Sequence, residues 1–141
     1  MYSPALYIES KEEGVIFRNP YSGEKLFVTP EQDMEIQLGL GSDVAMCLDT
    51  MPLIEESKDS IAEAVRKTTL WAGRCKEHHS NLQRALSIDK RQILFGIIQG
   101  GIHPDLREKS AKALLALDFE GYSIGGLALG EPKKEEYEMI D

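Results

Sequence analysis

Three short apolar runs, each handing over to a helix-patterned stretch, constrain this chain more than any other feature. Val44-Ala45-Met46-Cys47-Leu48 is apolar throughout and ends in Asp49. Ile93-Leu94-Phe95-Gly96-Ile97-Ile98 ends in Gln99-Gly100-Gly101, and the shorter Tyr122-Ser123-Ile124 ends in Gly125-Gly126-Leu127. Continuous apolarity of this kind predicts strands buried on both faces, as in a parallel sheet. Parallel neighbours need crossovers, and the sequence between the runs supplies helices. From about Lys58 to Leu86, the residues Ile61, Val65, Thr68, Ala72, Cys75, His79, Leu82 and Leu86 recur at steps of four and three, one face of a long helix. His103-Pro104 opens a second helix with Leu106, Ser110, Ala113, Leu114 and Leu117 on one face. Glu131-Pro132 begins another, running to Asp141.

Ahead of the first run, Gly14 to Val28 predicts a hairpin. Val15-Ile16-Phe17 and Leu26-Phe27-Val28 are strand-like, and Asn19-Pro20-Tyr21-Ser22-Gly23 between them has turn chemistry. Thr29 is placed as an N-cap, Pro30 suits the first helical position, and Gln32 completes a capping-box spacing. Met34, Ile36, Leu38 and Leu40 give this helix apolar surface, and Gly39 and Gly41 close it. The order hairpin, helix, strand, helix, strand, helix, strand, helix predicts right-handed βαβ crossovers and an α/β fold. A closed barrel takes eight strands and about 250 residues. The expected architecture is therefore a partial (β/α)8 TIM barrel of about three βα units plus an N-terminal β-hairpin, with residues 1–141 as a central fragment. A small open α/β domain is the alternative.

Composition narrows the function classes. The 16 basic and 24 acidic residues leave a net charge of −8, which argues against a dominant phosphate-binding surface within the chain. A nucleic-acid partner would then depend on basic residues in another part of a larger protein. Cys47 and Cys75 form no CxxC, so neither a zinc cluster nor a thioredoxin-type pair is encoded, and both read as buried core thiols. Met1-Tyr2-Ser3-Pro4 lacks the basic and apolar regions of a signal peptide, and no apolar run approaches the roughly 18 residues of a membrane span. The expected setting is cytoplasmic, with no membrane partner.

In parallel barrels, function collects at the carboxyl ends of strands. Here those ends are Asp49, Gln99 and Gly125-Gly126. Singly, each has an ordinary explanation: a loop start, a turn, a close chain approach. Jointly they suit a planar heterocycle. A carboxylate accepts parallel hydrogen bonds from adjacent N–H groups, such as the ring N–H and exocyclic amine of guanine. An amide offers a donor and an acceptor. A Gly-Gly strand end lets a ring approach the backbone, whose N–H donates to a carbonyl oxygen. Wrong bases would leave buried polar groups unpaired, which makes such a pocket selective.

At these residues the chain resembles the tRNA-guanine transglycosylases, or queuine tRNA-ribosyltransferases. The matching blocks are Gly41-Ser42-Asp43-Val44-Ala45-Met46 leading to Leu48-Asp49; Phe95 to Gly101 with Asp105-Leu106-Arg107 and Ser110; and Gly121 to Leu127 with Gly130-Glu131-Pro132. The hairpin and Thr29-Pro30-Glu31 are also similar to the family. The resemblance implies a TIM-barrel enzyme that exchanges a guanine in tRNA for a 7-deazaguanine base through a covalent ribosyl intermediate. It implies that Asp49 holds the base by its amine edge, that Gln99 contacts the same ring, that Gly125, Gly126 and Leu127 supply backbone contacts, and that Glu131 orients them. It further implies tRNA and guanine or a 7-deazaguanine as partners, a homodimer or heterodimer when complete, and a structural zinc.

The segments carrying the family's nucleophilic aspartate, its proton-transfer aspartate and its zinc ligands have no counterpart in this chain. No catalytic residue and no metal ligand is therefore expected here, and the chain alone is expected to be inactive. His79 reads as a packed stripe residue and His78 as solvent-facing, because adjacent helical residues point about 100° apart. The resemblance departs after Asp49, where many bacterial members carry Glu-Cys and this chain has Thr50-Met51; the base inserted stays open. Two other functions stay open as well. One is a non-catalytic relative that binds tRNA or protein. The other is an unrelated half-barrel for a phosphorylated metabolite, which the lack of a Gly-rich phosphate loop disfavours.

Overall fold

The computed structural model describes residues 5–50, 52 and 56–140. The expectations for Met1 to Pro4, for Met51 and for the helix end at Asp141 lie outside them. The elements run β1 (Tyr7–Ser10), β2 (Val15–Arg18), β3 (Lys25–Val28), α1 (Pro30–Gly39), β4 (Val44–Met46), α2 (Lys58–Gln83), β5 (Ile93–Ile98), α3 (Pro104–Leu115), β6 (Gly121–Ile124) and α4 (Lys133–Glu138). A 3₁₀ turn over Ile88–Lys90 leads into β5.

The expected hairpin is the β2–β3 pair, in register from Val15↔Val28 to Arg18↔Lys25. Its turn is held by the Asn19 carboxamide, whose Oδ1 accepts from the backbone N–H of Tyr21 at 2.8 Å and of Ser22 at 3.2 Å. A third antiparallel strand, β1, adds to β2 and makes a three-stranded sheet. Its sequence, Tyr-Ile-Glu-Ser, is too short and too mixed to announce a strand. In α1 the capping box forms in both directions: Thr29 Oγ1 accepts from Gln32 N at 3.3 Å, and Gln32 Oε1 accepts from Thr29 N at 3.1 Å. The helix buries Pro30 and Met34 but leaves Ile36 and Leu40 51% and 78% exposed, so only part of the expected apolar surface is used.

The second sheet is parallel, in the order β4-β5-β6, with Val44↔Ile93 and Phe95↔Gly121 in register. Helices α1, α2 and α3 pack on one side of it. The core holds Met34 from α1, Ala45 and Cys47 at β4, Ala72 and Cys75 from α2, Leu94 from β5, and Leu114 and Phe119 around α3. Along α2 the expected stripe is buried at Ile61, Val65, Thr68, Ala72, Cys75 and His79. Trp71 is also wholly buried, with its indole N–H donating to Glu12 O at 2.8 Å. His78 is a correction: it is partly covered, with Nε2 3.0 Å from Glu35 Oε1, because α1 lies along that side of α2.

Burial of the strands on both faces is a second correction. Ala45 and Leu94, which face the helices, have no exposure, whereas Val44 and Ile93 on the opposite face are 40% and 43% exposed. The α/β class and the parallel sheet hold, but the sheet is open and no closed barrel occurs among the described residues. The outer edge of β4 is occupied by a side chain. Gln37 Oε1 accepts from Met46 N at 2.9 Å and its Nε2 donates to Met46 O at 2.7 Å, as a neighbouring strand would. No helix among the described residues is long and apolar enough to cross a membrane.

Candidate functional site

The three parallel strands end side by side, and the residues just past their carboxyl ends meet. Gln99 Nε2 donates to Asp49 Oδ2 at 2.5 Å, joining the end of β5 to the end of β4. Gln99 is 2% exposed, and its backbone N–H is taken by Ser110 Oγ of α3 at 3.0 Å, so the side chain emerges from a fixed point. On its other side, Gln99 lies against the end of β6. A Cβ on Gly125 would come within 2.7 Å of Gln99 Nε2 and 2.6 Å of Ile97 Cγ2. A Cβ on Gly126, whose φ is +65°, would overlap Gln99 Oε1. Both glycines are therefore fixed by this approach, and at Gly126 the left-handed backbone adds a second reason.

Beyond them the chain turns around a carboxylate. Glu131, 8% exposed, accepts from the backbone N–H groups of Ala128 and, at 2.8 Å, Leu129. Burial pushes the Glu131 carboxyl up, but the backbone N–H groups donating to it prevail and hold it below the usual carboxylate range. Leu127 is half-buried between the glycines and this turn. The structure thus brings Asp49, Gln99, Gly125 and Gly126 together, with Glu131 organising the adjacent backbone.

Burial raises the pKa of Asp49, with the Gln99 hydrogen bond opposing it. Asp33 of α1 behaves likewise. Burial pushes it up to about 6, against a hydrogen bond from Gln37 Nε2 of 2.9 Å, and the nearby Asp49 charge adds to the rise. Beside these groups lies a small pocket lined by Pro52, Ile61, Gln99, Gly101, Ile102, Gly126 and Leu129. Its walls are mainly apolar, with the Gln99 amide at the boundary between pocket and carboxylate. A flat ligand with apolar faces and adjacent N–H donors on one edge suits that arrangement.

Arg107 lies in a block that resembles the family, but sequence reasoning assigned it no role. It is 7% exposed, and its Nη1 donates to Gly125 O at 3.0 Å and Gly101 O at 3.3 Å. The signal was present: Arg107, Ser110 and Leu114 follow one another at steps of three and four along the buried face of α3. Thr50, beside Asp49, is buried and donates its N–H to Thr68 Oγ1 at 3.1 Å, which anchors the loop to α2.

Among the described residues no three His, Cys, Asp or Glu side chains come together as a metal ion requires. Cys47 and Cys75 are free and buried, and the Cys75 thiol contacts Pro30 O at 3.7 Å. The hydrogen bond with Cys75, and then burial, push the Cys47 thiol far up, so it stays protonated. This thiol pair does not suit a zinc ion.

Comparison with known proteins adds an independent line. The sequence profile described as queuine tRNA-ribosyltransferase matches residues 1–141. The chain is similar to proteins named queuine tRNA-ribosyltransferase from Desulforamulus reducens (51% identical over 130 residues, 92% of this chain and 33% of that protein), Staphylococcus aureus strain bovine RF122 / ET3-1 (48% over 130 residues, 92% and 32%) and Lysinibacillus sphaericus (49% over 133 residues, 94% and 33%). It spans about a third of the length of these relatives.

Proposed function

Because the chain belongs to the queuine tRNA-ribosyltransferase family, we propose that it is the base-recognition part of a (β/α)8 barrel that exchanges a guanine in tRNA for a 7-deazaguanine base. The observation that carries this reading is the junction of three strand ends, where Gln99 bridges Asp49 and the Gly125-Gly126 backbone. Asp49, as a carboxylate, accepts from the ring N–H and exocyclic amine of the base. Gln99 donates and accepts along the ring edge. Gly126 and Leu127 offer backbone N–H groups to the carbonyl oxygen, and Glu131 fixes the turn that presents them. Burying a carboxylate costs free energy that ligand N–H donors restore, so a base lacking them is rejected.

Base exchange also needs a nucleophile at the ribose C1′. In this reading a carboxylate from another strand of the barrel attacks, guanine leaves, and the incoming base displaces the carboxylate. The present residues hold and orient the base in both half-reactions. The structural zinc implied by the family resemblance has no ligand set among the described residues, and base recognition does not involve it. The complete protein is proposed to bind tRNA and to work as a dimer in the cytoplasm.

The decisive test is Asp49→Ala in the complete enzyme, with labelled guanine incorporation into tRNA and tRNA binding measured in parallel. Loss of a buried charged partner should lower exchange by at least about 100-fold while tRNA binding is retained. Unchanged exchange in the variant removes the assignment of this pocket.

A further inference from the structure

Arg107 is a guanidinium that is 7% exposed and has no carboxylate within ion-pair distance among the described residues; burial lowers its pKa. Placing a cation there costs free energy that solvent-facing alternatives on α3 would avoid, so the contacts it makes are informative. Those contacts are two carbonyls, Gly101 O in the turn after β5 and Gly125 O at the end of β6.

The position of the second carbonyl matters. Gly125 N donates to Ile98 O at 2.9 Å, continuing the parallel ladder by one bond beyond β6. In a parallel ladder the matching donor for Gly125 O would be the N–H of Gly100. The chain has already turned there, with Gly100 at φ +141°, where a Cβ would come within 2.6 Å of Arg107 N. Arg107 Nη1 supplies the missing donor. In a planar trans peptide the C=O and the following N–H point in opposite directions. Holding Gly125 O on the α3 side therefore directs Gly126 N–H to the other side. Among the described residues neither Gly126 N–H nor Leu127 N–H has an acceptor, while the next two N–H groups are taken by Glu131.

We infer that Arg107 is a positioning residue of the base pocket: by clamping Gly101 O and Gly125 O it orients the Gly125–Gly126 peptide so that the Gly126 N–H meets the carbonyl oxygen of the base. This rests on the pocket assignment made above. The role differs from that of Asp49 and Gln99, because Arg107 acts from behind the backbone. It is selective for one ligand atom.

The test compares guanine with 6-thioguanine, which keeps the ring N–H and amine but replaces the carbonyl oxygen by a weaker acceptor. Dissociation constants of both are measured by calorimetry for the complete enzyme and for its Arg107→Met and Arg107→Lys variants. The wild type should prefer guanine. In Arg107→Met, guanine binding should weaken by about tenfold, one well-aligned hydrogen bond, while 6-thioguanine binding changes little, so that the preference collapses. Arg107→Lys, which retains a donor for one carbonyl, should recover part of the preference. Because the readout is a ratio within one protein sample, a partly unfolded variant does not distort it. Equal weakening of both ligands in Arg107→Met means a merely structural role and overturns the inference. A wild type that binds neither base fails the pocket assignment itself, and the inference falls with it.

Discussion

At Gly126 two demands coincide: a φ of +65° and a neighbour, Gln99 Oε1, in the space a Cβ would fill. Gly126→Ala should therefore cost about 1–2 kcal/mol of stability from the left-handed backbone alone. The new methyl group should also push Gln99 away from Asp49. A melting experiment reads the first effect and guanine titration reads the second, and binding should fall further than the stability loss accounts for. Retention of both stability and binding would mean that Gln99 does not lean on this backbone. The same residues mark what a single sequence discloses. Asp49 and Gln99 stand out only jointly: each alone has an ordinary structural explanation, but both directly follow apolar strands of one parallel sheet. Arg107 and Gln37 do not stand out, because a charged or amide residue on a helix ordinarily faces water. Their partners are the backbone carbonyls of Gly101 and Gly125 and both backbone groups of Met46, which no pattern of side chains reveals.

Among the elements, α1 and α2 are joined by one well-formed ion pair. Arg74 Nε donates to Glu31 Oε1 at 2.7 Å and Nη2 to Glu31 Oε2 at 2.6 Å, while Nη1 reaches Glu13 O at 3.0 Å in the β1–β2 turn. The Arg74 hydrogen bonds outweigh the effect of burial and bring the Glu31 carboxyl down to about 2 from its ordinary 4.5. A depressed carboxyl stabilises the fold above its unfolded-state value, and that contribution is lost as pH falls through the folded-state value. Glu31→Gln should thus lower stability at pH 7 by about 1 kcal/mol, discounted for side chains about one-third exposed, or about 4 °C in Tm. The gap between variant and wild type should close as pH falls from about 4.5 to about 2. A gap that stays constant across that window would assign the effect to packing. Elements themselves were legible where periodicity was long. The long stripe along α2 and the unbroken runs of β4 and β5 identify them, whereas four residues of mixed polarity in β1 carry too little period to show. Trp71 escaped the stripe because its partner, Glu12 O, lies in a distant turn.

For the molecule as a whole, the asymmetry of the parallel sheet is the informative feature. Continuous apolar runs predict cover on both faces, yet only the helix-facing side is closed, and Val44 and Ile93 stand 40% and 43% exposed on the other. These two are partners in register at the amino ends of β4 and β5. The sequence is thus written for a two-sided environment of which this chain holds one side, which fits the interior of the proposed barrel. An apolar dye such as anilinonaphthalene sulfonate should bind the chain produced alone. It should bind far less to the complete enzyme if further strands of the proposed barrel cover that face. The double substitution Val44→Thr and Ile93→Thr should reduce dye binding to the chain alone with little change in its own Tm, because neither side chain belongs to its buried core. In the complete enzyme the same pair should cost about 2–4 kcal/mol, because there two hydroxyls enter an apolar interior. Equal costs in the two settings would mean that this face is solvent-exposed in the complete protein, and the barrel would have to close elsewhere.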